Sequence, residues 1–147
     1  MIKNKYLNNV KIIDIGTKKK CIAKSDNNKV IFLSEGVPGD NVNIKILKKY
    51  KGSLEGKIIS YNKHSKDKIT PKCNYFGICG GCNFQDISYI KQIKLKEKKV
   101  LKVFNGFNLS KESLNKIIPS KKEYFYRNKL EFSFSNNRWI SLEEIKS

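Results

Sequence analysis

Three cysteines within ten residues, Cys73, Cys79 and Cys82, are the side chains of this 147-residue chain best placed to do chemistry together. Thiolates are soft ligands that suit iron–sulfur clusters or zinc. Two of them three residues apart reach one metal centre only through a tight turn. Gly80 and Gly81 permit it, because neither has a Cβ to clash at positive φ. A third thiolate six residues upstream can close over the same centre. Structural zinc and a cubane cluster both want a fourth protein ligand. No second Cys-x2-Cys pair exists, and His64, the only histidine, lies nine residues before Cys73, outside the usual ligand spacings. Cys21 is the one other cysteine. Spacing alone therefore leaves the metal open between iron–sulfur and zinc, with the fourth ligand unassigned.

Other polar groups carry weaker signals. Lys18, Lys19 and Lys20 form a basic triplet at a turn, where they could sit on phosphate or simply face water. Arg127 and Lys129 share one side of an alternating segment and could reach an RNA phosphate or a flipped base. Lys91, Lys94, Lys98 and Lys102 make a stripe at helical spacing that reads first as a solvated face. Phe32, Phe132, Phe134 and Trp139 could stack bases, although core packing is the plainer use of them.

The whole chain is basic. It carries 31 Lys and Arg against 13 Asp and Glu, a formal net charge of +18. Such an excess repels itself and favours a polyanionic partner, most simply nucleic acid. Nearly all the cations are lysines, and Asn and Ile are abundant too, a joint bias that an A/T-rich genome would impose on any surface. The charge is nevertheless shared by both halves of the chain, which excludes a basic arm on a neutral domain. No apolar run of signal-peptide length or of membrane-span length is present, so the chain reads as cytosolic. In a reducing compartment four cysteines favour metal ligation over disulfides.

These residues need elements to position them. Over residues 8–60, short apolar runs read as strands: Val10 to Ile15, Cys21 to Lys24, Val30 to Leu33, Val42 to Ile46 at the strand period of two, and a last one around Ile58. Asp26-Asn27-Asn28 and Val37-Pro38-Gly39-Asp40 punctuate them as turns. Five short strands in about 50 residues suit a small closed barrel, since closure removes exposed edges. Residues 61–72 are polar and read as a linker containing a solvated His64. Asp86 or Ser88 can cap a helix running to about Phe104, with Ile90, Ile93, Val100, Leu101 and Phe104 on one face. A short helical turn from Ser110 to Ile117 follows. Tyr126 to Phe134 then alternates as an amphipathic strand, and Asn136-Asn137 turns it towards Trp139-Ile140 as a hairpin. The fold class expected is β followed by α/β: a barrel at residues 1–60, then a partial α+β region at 73–147 bearing the cysteines.

The run Cys73-Asn-Tyr-Phe-Gly-Ile-Cys79-Gly-Gly-Cys82-Asn-Phe-Gln85 resembles the Cys-x5-Cys-Gly-Gly-Cys-x-x-Gln signature of S-adenosylmethionine-dependent RNA (uracil-5-)methyltransferases, the family of 23S rRNA enzymes included. Tyr89, Gln92 and Tyr126-Arg127-Asn128-Lys129 are similar to that family as well. The stretch from Asp14-Ile15-Gly16 to Val37-Pro38-Gly39-Asp40-Asn41-Val42 looks like its N-terminal TRAM domain, an OB-like RNA-binding barrel. The resemblance implies that Cys73, Cys79 and Cys82 are three of the four ligands of a [4Fe-4S] cluster. The fourth would fall beyond Ser147, and Cys21 does not match it.

The resemblance also implies what to look for and not find. The family binds S-adenosylmethionine and attacks uracil from a C-terminal Rossmann-like domain. No strand here is followed by a Gly-x-Gly loop opening a helix, and no cysteine follows Cys82. The expectation is an RNA-binding, cluster-bearing front portion, catalytically incomplete as a single chain, whose partners are RNA, ribosomal by family, and conceivably a separate catalytic chain. The alternatives are a stand-alone RNA-binding module and a small zinc-binding interaction protein.

Overall fold

The computed structural model describes residues 5–16, 19–107, 114–129, 131, 134–138, 140 and 144–146. The chain divides into two units: residues 1–72 with 83–88, and residues 73–82 with 89–147.

The first unit is a closed barrel of five strands in the order β1-β2-β3-β5-β4. These are β1 (Tyr6–Ile15), β2 (Cys21–Lys24), β3 (Val30–Leu33), β4 (Asn41–Lys49) and β5 (Ser53–Lys63). Neighbours pair antiparallel except β3 with β5, which run parallel. Alternation decides which residues face inward. In β4, Val42, Ile44 and Ile46 are buried while Asn43 and Lys45 between them are not. Val10, Ile12, Cys21, Ala23, Ile31, Leu33 and Ile58 complete the buried cluster. Burying each large aliphatic side chain contributes roughly 1.5–3 kcal/mol, which is what holds a barrel of short strands together. Gly56 lies where the sheet closes: a Cβ there would stand 3.2 Å from Leu33 Cδ2 and 3.3 Å from the Lys45 carbonyl oxygen.

Three strands run further than alternation suggests, β4 by carrying on from Ile46 to Lys49. β1 begins at Tyr6, ahead of Val10, because Asn9 takes a left-handed φ of 56° and forms a bulge that resets the register between Leu7 and Val10. β5 continues to Lys63, three residues into the segment expected as a linker. That polar segment is tied down beyond the strand as well. The buried carboxylate of Asp40 accepts hydrogen bonds from the backbone N–H of Val37 at 2.8 Å and of Ser65 at 2.6 Å. The Ser65 hydroxyl donates to the Pro38 carbonyl at 2.8 Å. Gly39, at φ 104°, is required at this turn: a Cβ would lie 2.7 Å from Ser65 Oγ. His64 stays solvated, its side chain 58% exposed.

Residues 83–88 return to the first unit. Ile69 N–H donates to the Asp86 carbonyl at 3.0 Å and Ser88 N–H to the Asp67 carbonyl at 2.8 Å, around a bridge between Lys68 and Ile87. Ile87 itself is completely buried.

The second unit contains α1 (Tyr89–Gly106), which starts directly after Ser88 and outlasts the expected end by two residues. Ile93, Leu101 and Phe104 are half-buried, whereas Ile90 and Val100 are exposed. Residues 114–120 have no regular structure; Ser120 N–H donates to the Tyr89 hydroxyl at 2.6 Å and Ile117 N–H to Glu97 Oε1 at 3.3 Å. The helical turn expected to end at Ile117 is therefore not formed over its described part. Among the described residues of the expected hairpin at 126–140 there is no strand, and Tyr126 and Phe134 are exposed. A two-stranded ribbon gains too little by itself to persist in water. Leu130, Phe132 and Trp139 lie outside the described residues. A 3-10 turn spans Glu144–Lys146, with Glu144 bonded to Arg138 at 2.8 Å.

Candidate metal and RNA-binding sites

The three expected ligands share one turn of the second unit. Phe76 N–H donates to the Cys73 carbonyl at 3.1 Å, and Ile78 and Cys79 N–H both donate to the Tyr75 carbonyl, at 3.1 and 3.2 Å. Gly77 and Gly80 carry positive φ, 84° and 73°. The sequence pointed to Gly80 and Gly81, so Gly77 is the glycine it missed; Gly81 has an ordinary φ and lies beside Cys79 Sγ. All three cysteines are exposed and none forms a disulfide. Among the described residues, no three His, Cys, Asp or Glu side chains converge in metal-holding geometry. The donor set still fits a soft metal in kind: three exposed thiols on a glycine-hinged segment.

Cys21 differs in every respect. It is buried in the barrel, its thiol donates to the Gly36 carbonyl at 3.0 Å, and burial pushes its pKa up from 9.0 to about 12. A thiol held protonated is a poor ligand, so Cys21 acts as a small core side chain.

The candidate RNA contacts separate by environment. Lys19 is only 12% exposed, and its ammonium is clamped by both Asp86 oxygens at 2.7 and 2.8 Å. It takes a left-handed φ of 55° in the middle of the basic triplet. This charge is committed within the barrel unit, and Lys20 is the exposed member of the pair. Lys18 lies outside the described residues. Arg127 and Lys129 are exposed, Lys129 within 2.9 Å of the equally exposed Glu131. Phe32 is half-buried at the barrel surface. Along α1, Lys94, Lys98 and Lys102 are exposed and Lys91 is half-buried.

Residue types at the barrel, its strand order and its turn at Val37–Asp40 can now be compared with known proteins. Residues 8–59 match the family model described as the TRAM domain. The barrel is a TRAM domain. Beyond it, the chain is 40% identical over 130 residues to a protein of Bacteroides thetaiotaomicron named "uncharacterized RNA methyltransferase", a match covering 86% of this chain and 28% of that protein. A Porphyromonas gingivalis protein of the same name is 33% identical over 138 residues, covering 93% and 30%. One from Clostridium tetani is 41% identical over 106 residues, covering 72% and 23%. The likeness to RNA methyltransferases thus runs through the TRAM domain and well into the second unit. The chain spans under a third of the length of these curated relatives. Among the described residues, no helix is long and apolar enough to cross a membrane.

Proposed function

We propose that this chain is the RNA-binding and iron–sulfur portion of an RNA (uracil-5-)methyltransferase-like protein acting on ribosomal RNA in the cytoplasm. The observation that carries the reading is the joining, in one strongly basic chain, of a TRAM barrel to an exposed Cys73-x5-Cys79-Gly-Gly-Cys82 turn. Cys73, Cys79 and Cys82 hold a [4Fe-4S] cluster, and the fourth ligand comes from outside these residues. Bound there, the cluster would supply a structural cross-link of the turn. Lys18, Lys20, Arg127 and Lys129 contact RNA phosphates, which position the strand without reading its sequence, while Lys19 holds its turn against Asp86. S-adenosylmethionine and the reacting uracil belong to residues outside this chain, so the chain alone does not transfer a methyl group.

Metal content with a visible spectrum, on protein purified without oxygen, tests this. The reading expects about four iron and four sulfide per chain and absorbance near roughly 400 nm. Stoichiometric zinc without colour would favour a small zinc-binding protein. Neither metal, with RNA affinity intact, would leave a stand-alone RNA-binding module.

A further inference from the structure

The outer face of β1, β4 and β5 carries rows of polar side chains, with Ile13, Leu47 and Ile59 exposed on the same strands. Three registers cross it. Lys11, Asn41 and Lys63 lie in one row, and Tyr6, Lys45 and Lys57 in another. Between them, Asn43 pairs with Ser60 opposite the bulge at Asn9. The four lysines face no acidic residue on these rows. Glu55, the next acid along β5, accepts a hydrogen bond from the Tyr50 hydroxyl at 3.0 Å.

The middle row is an ordered array of amides. The side chains of Asn43 and Asn62 bond reciprocally, each NH2 donating to the other's carbonyl at 2.9 Å. Asn43 also accepts the bulged Asn9 N–H at 3.0 Å and donates to Ser60 Oγ at 3.0 Å. The Asn62 NH2 reaches Asn9 Oδ1 at 2.9 Å and Asn41 Oδ1 at 3.2 Å too, three acceptors for two hydrogens. Asn43 is fixed by backbone and half-buried; Asn62 is exposed and held only by side chains. Hydrogen bonds among exposed amides add little stability, because water offers the same bonds. What the array does provide is pre-organisation. A reciprocal amide pair has the donor–acceptor edge that asparagine presents to adenine, and a base edge can replace one partner bond for bond. Tyr6, 55% exposed with the Lys45 ammonium 6.0 Å from its ring centroid, adds a stacking platform at the side.

We propose that this face binds single-stranded RNA: Lys11, Lys45, Lys57 and Lys63 hold phosphates, and Asn62, exchanging its bonds to Asn43 while Asn9 Oδ1 still holds its amide, pairs with the edge of an unstacked base, adenine fitting best. This rests on the RNA-binding reading above and assigns a place to it. Unstacked bases are what single strands present and duplexes do not.

The test is fluorescence anisotropy on the full chain with labelled oligoadenylate and oligouridylate of about 12 nucleotides, within the site size of such barrels, at several salt concentrations. Replacing the four lysines with glutamine should weaken binding about thirtyfold and flatten the salt slope by about 3, at roughly 0.7 per single-strand phosphate contact. Asn62→Ala should cost about tenfold on oligoadenylate and less on oligouridylate. Its melting temperature should stay unchanged, since Asn62 bonds only side chains. Wild-type binding with both variants unaffected would overturn this face and leave the RNA-binding reading standing. A lysine effect without an Asn62 effect would overturn base pairing by the amide. No RNA affinity in the wild type would overturn both readings.

Discussion

The barrel and the second unit are made from similar amino acids and end in opposite states. Every fully buried apolar residue among those described belongs to the first unit. In the second, the 18-residue α1 buries no residue completely, and Phe107, Ile118, Phe125 and Phe134 are exposed, the last at 99%. The difference lies in closure. A barrel satisfies the edges of its own strands and gathers one face of each into a shared core. Among the described residues of the second unit, no sheet or further long helix covers the apolar stripe of α1. A cleft of about 410 Å³ between α1 and residues 114–117 is lined by Val100, Leu101, Leu114 and Ile117.

Chemical labelling should give the largest contrast. Iodoacetamide should alkylate Cys73, Cys79 and Cys82 in the folded, metal-depleted protein and spare Cys21 until the barrel unfolds, as read by intact and peptide mass spectrometry. Labelling of all four at one rate would sink the distinction between buried and exposed thiols. Core truncation comes next. Ile44→Ala should cost the barrel about 4 kcal/mol in urea unfolding, since a fully buried side chain is lost and a cavity remains. Asp40→Ala should cost about 3 kcal/mol, because it strands the N–H groups of Val37 and Ser65, and it should free residues 64–68 for hydrogen exchange.

Alkaline pH gives a smaller and differently signed test. The Cys21 thiol is neutral in the fold up to about 12, whereas in the unfolded chain it ionises near 9.0. Between these values the unfolded state loses a proton that the folded state keeps. Stability present below the lower value therefore falls as pH rises through the window, by on the order of 2 kcal/mol. Cys21→Ala should flatten that slope relative to wild type in pH-dependent denaturation curves. The smallest effect is expected from Val103→Ala, an exposed position of α1, which should change stability by less than about 0.5 kcal/mol. A large loss there would show that the second unit has a core after all.

What was legible in the sequence follows the same divide. Strands β2 and β3 could be read directly as short apolar runs bounded by turn residues, and in β4 the alternation from Val42 to Ile46 matches burial although the strand runs on to Lys49. β1 was read late by four residues because the Asn9 bulge breaks the period of two. β5 was cut short because its end is Asn62 and Lys63, polar on an exposed face. The role of Asp40 was hidden: a turn signal says that the chain reverses, and nothing local says that Ser65, 25 positions on, will bond to its carboxylate. Lys19 shows the same limit, since Asp86, which takes its charge, is 67 positions away. The cysteine turn was legible from spacing, but convergence of its thiols depends on rotamers and on a fourth ligand that spacing does not encode. The strand at Tyr126 was read from alternation alone, and alternation without neighbouring strands leaves the pattern with nothing to pair against.

The bridge between Lys68 and Ile87 has a topological consequence. It makes residues 70–85 an excursion whose two ends are fastened to each other, by Ile69 to Asp86 and Asp67 to Ser88. Most of the search entropy of bringing distant ligands together is a loop-closure term. Here folding of the barrel unit meets that term before anything binds. The metal proposed for the three thiols would then have only a short loop, already drawn shut, to order.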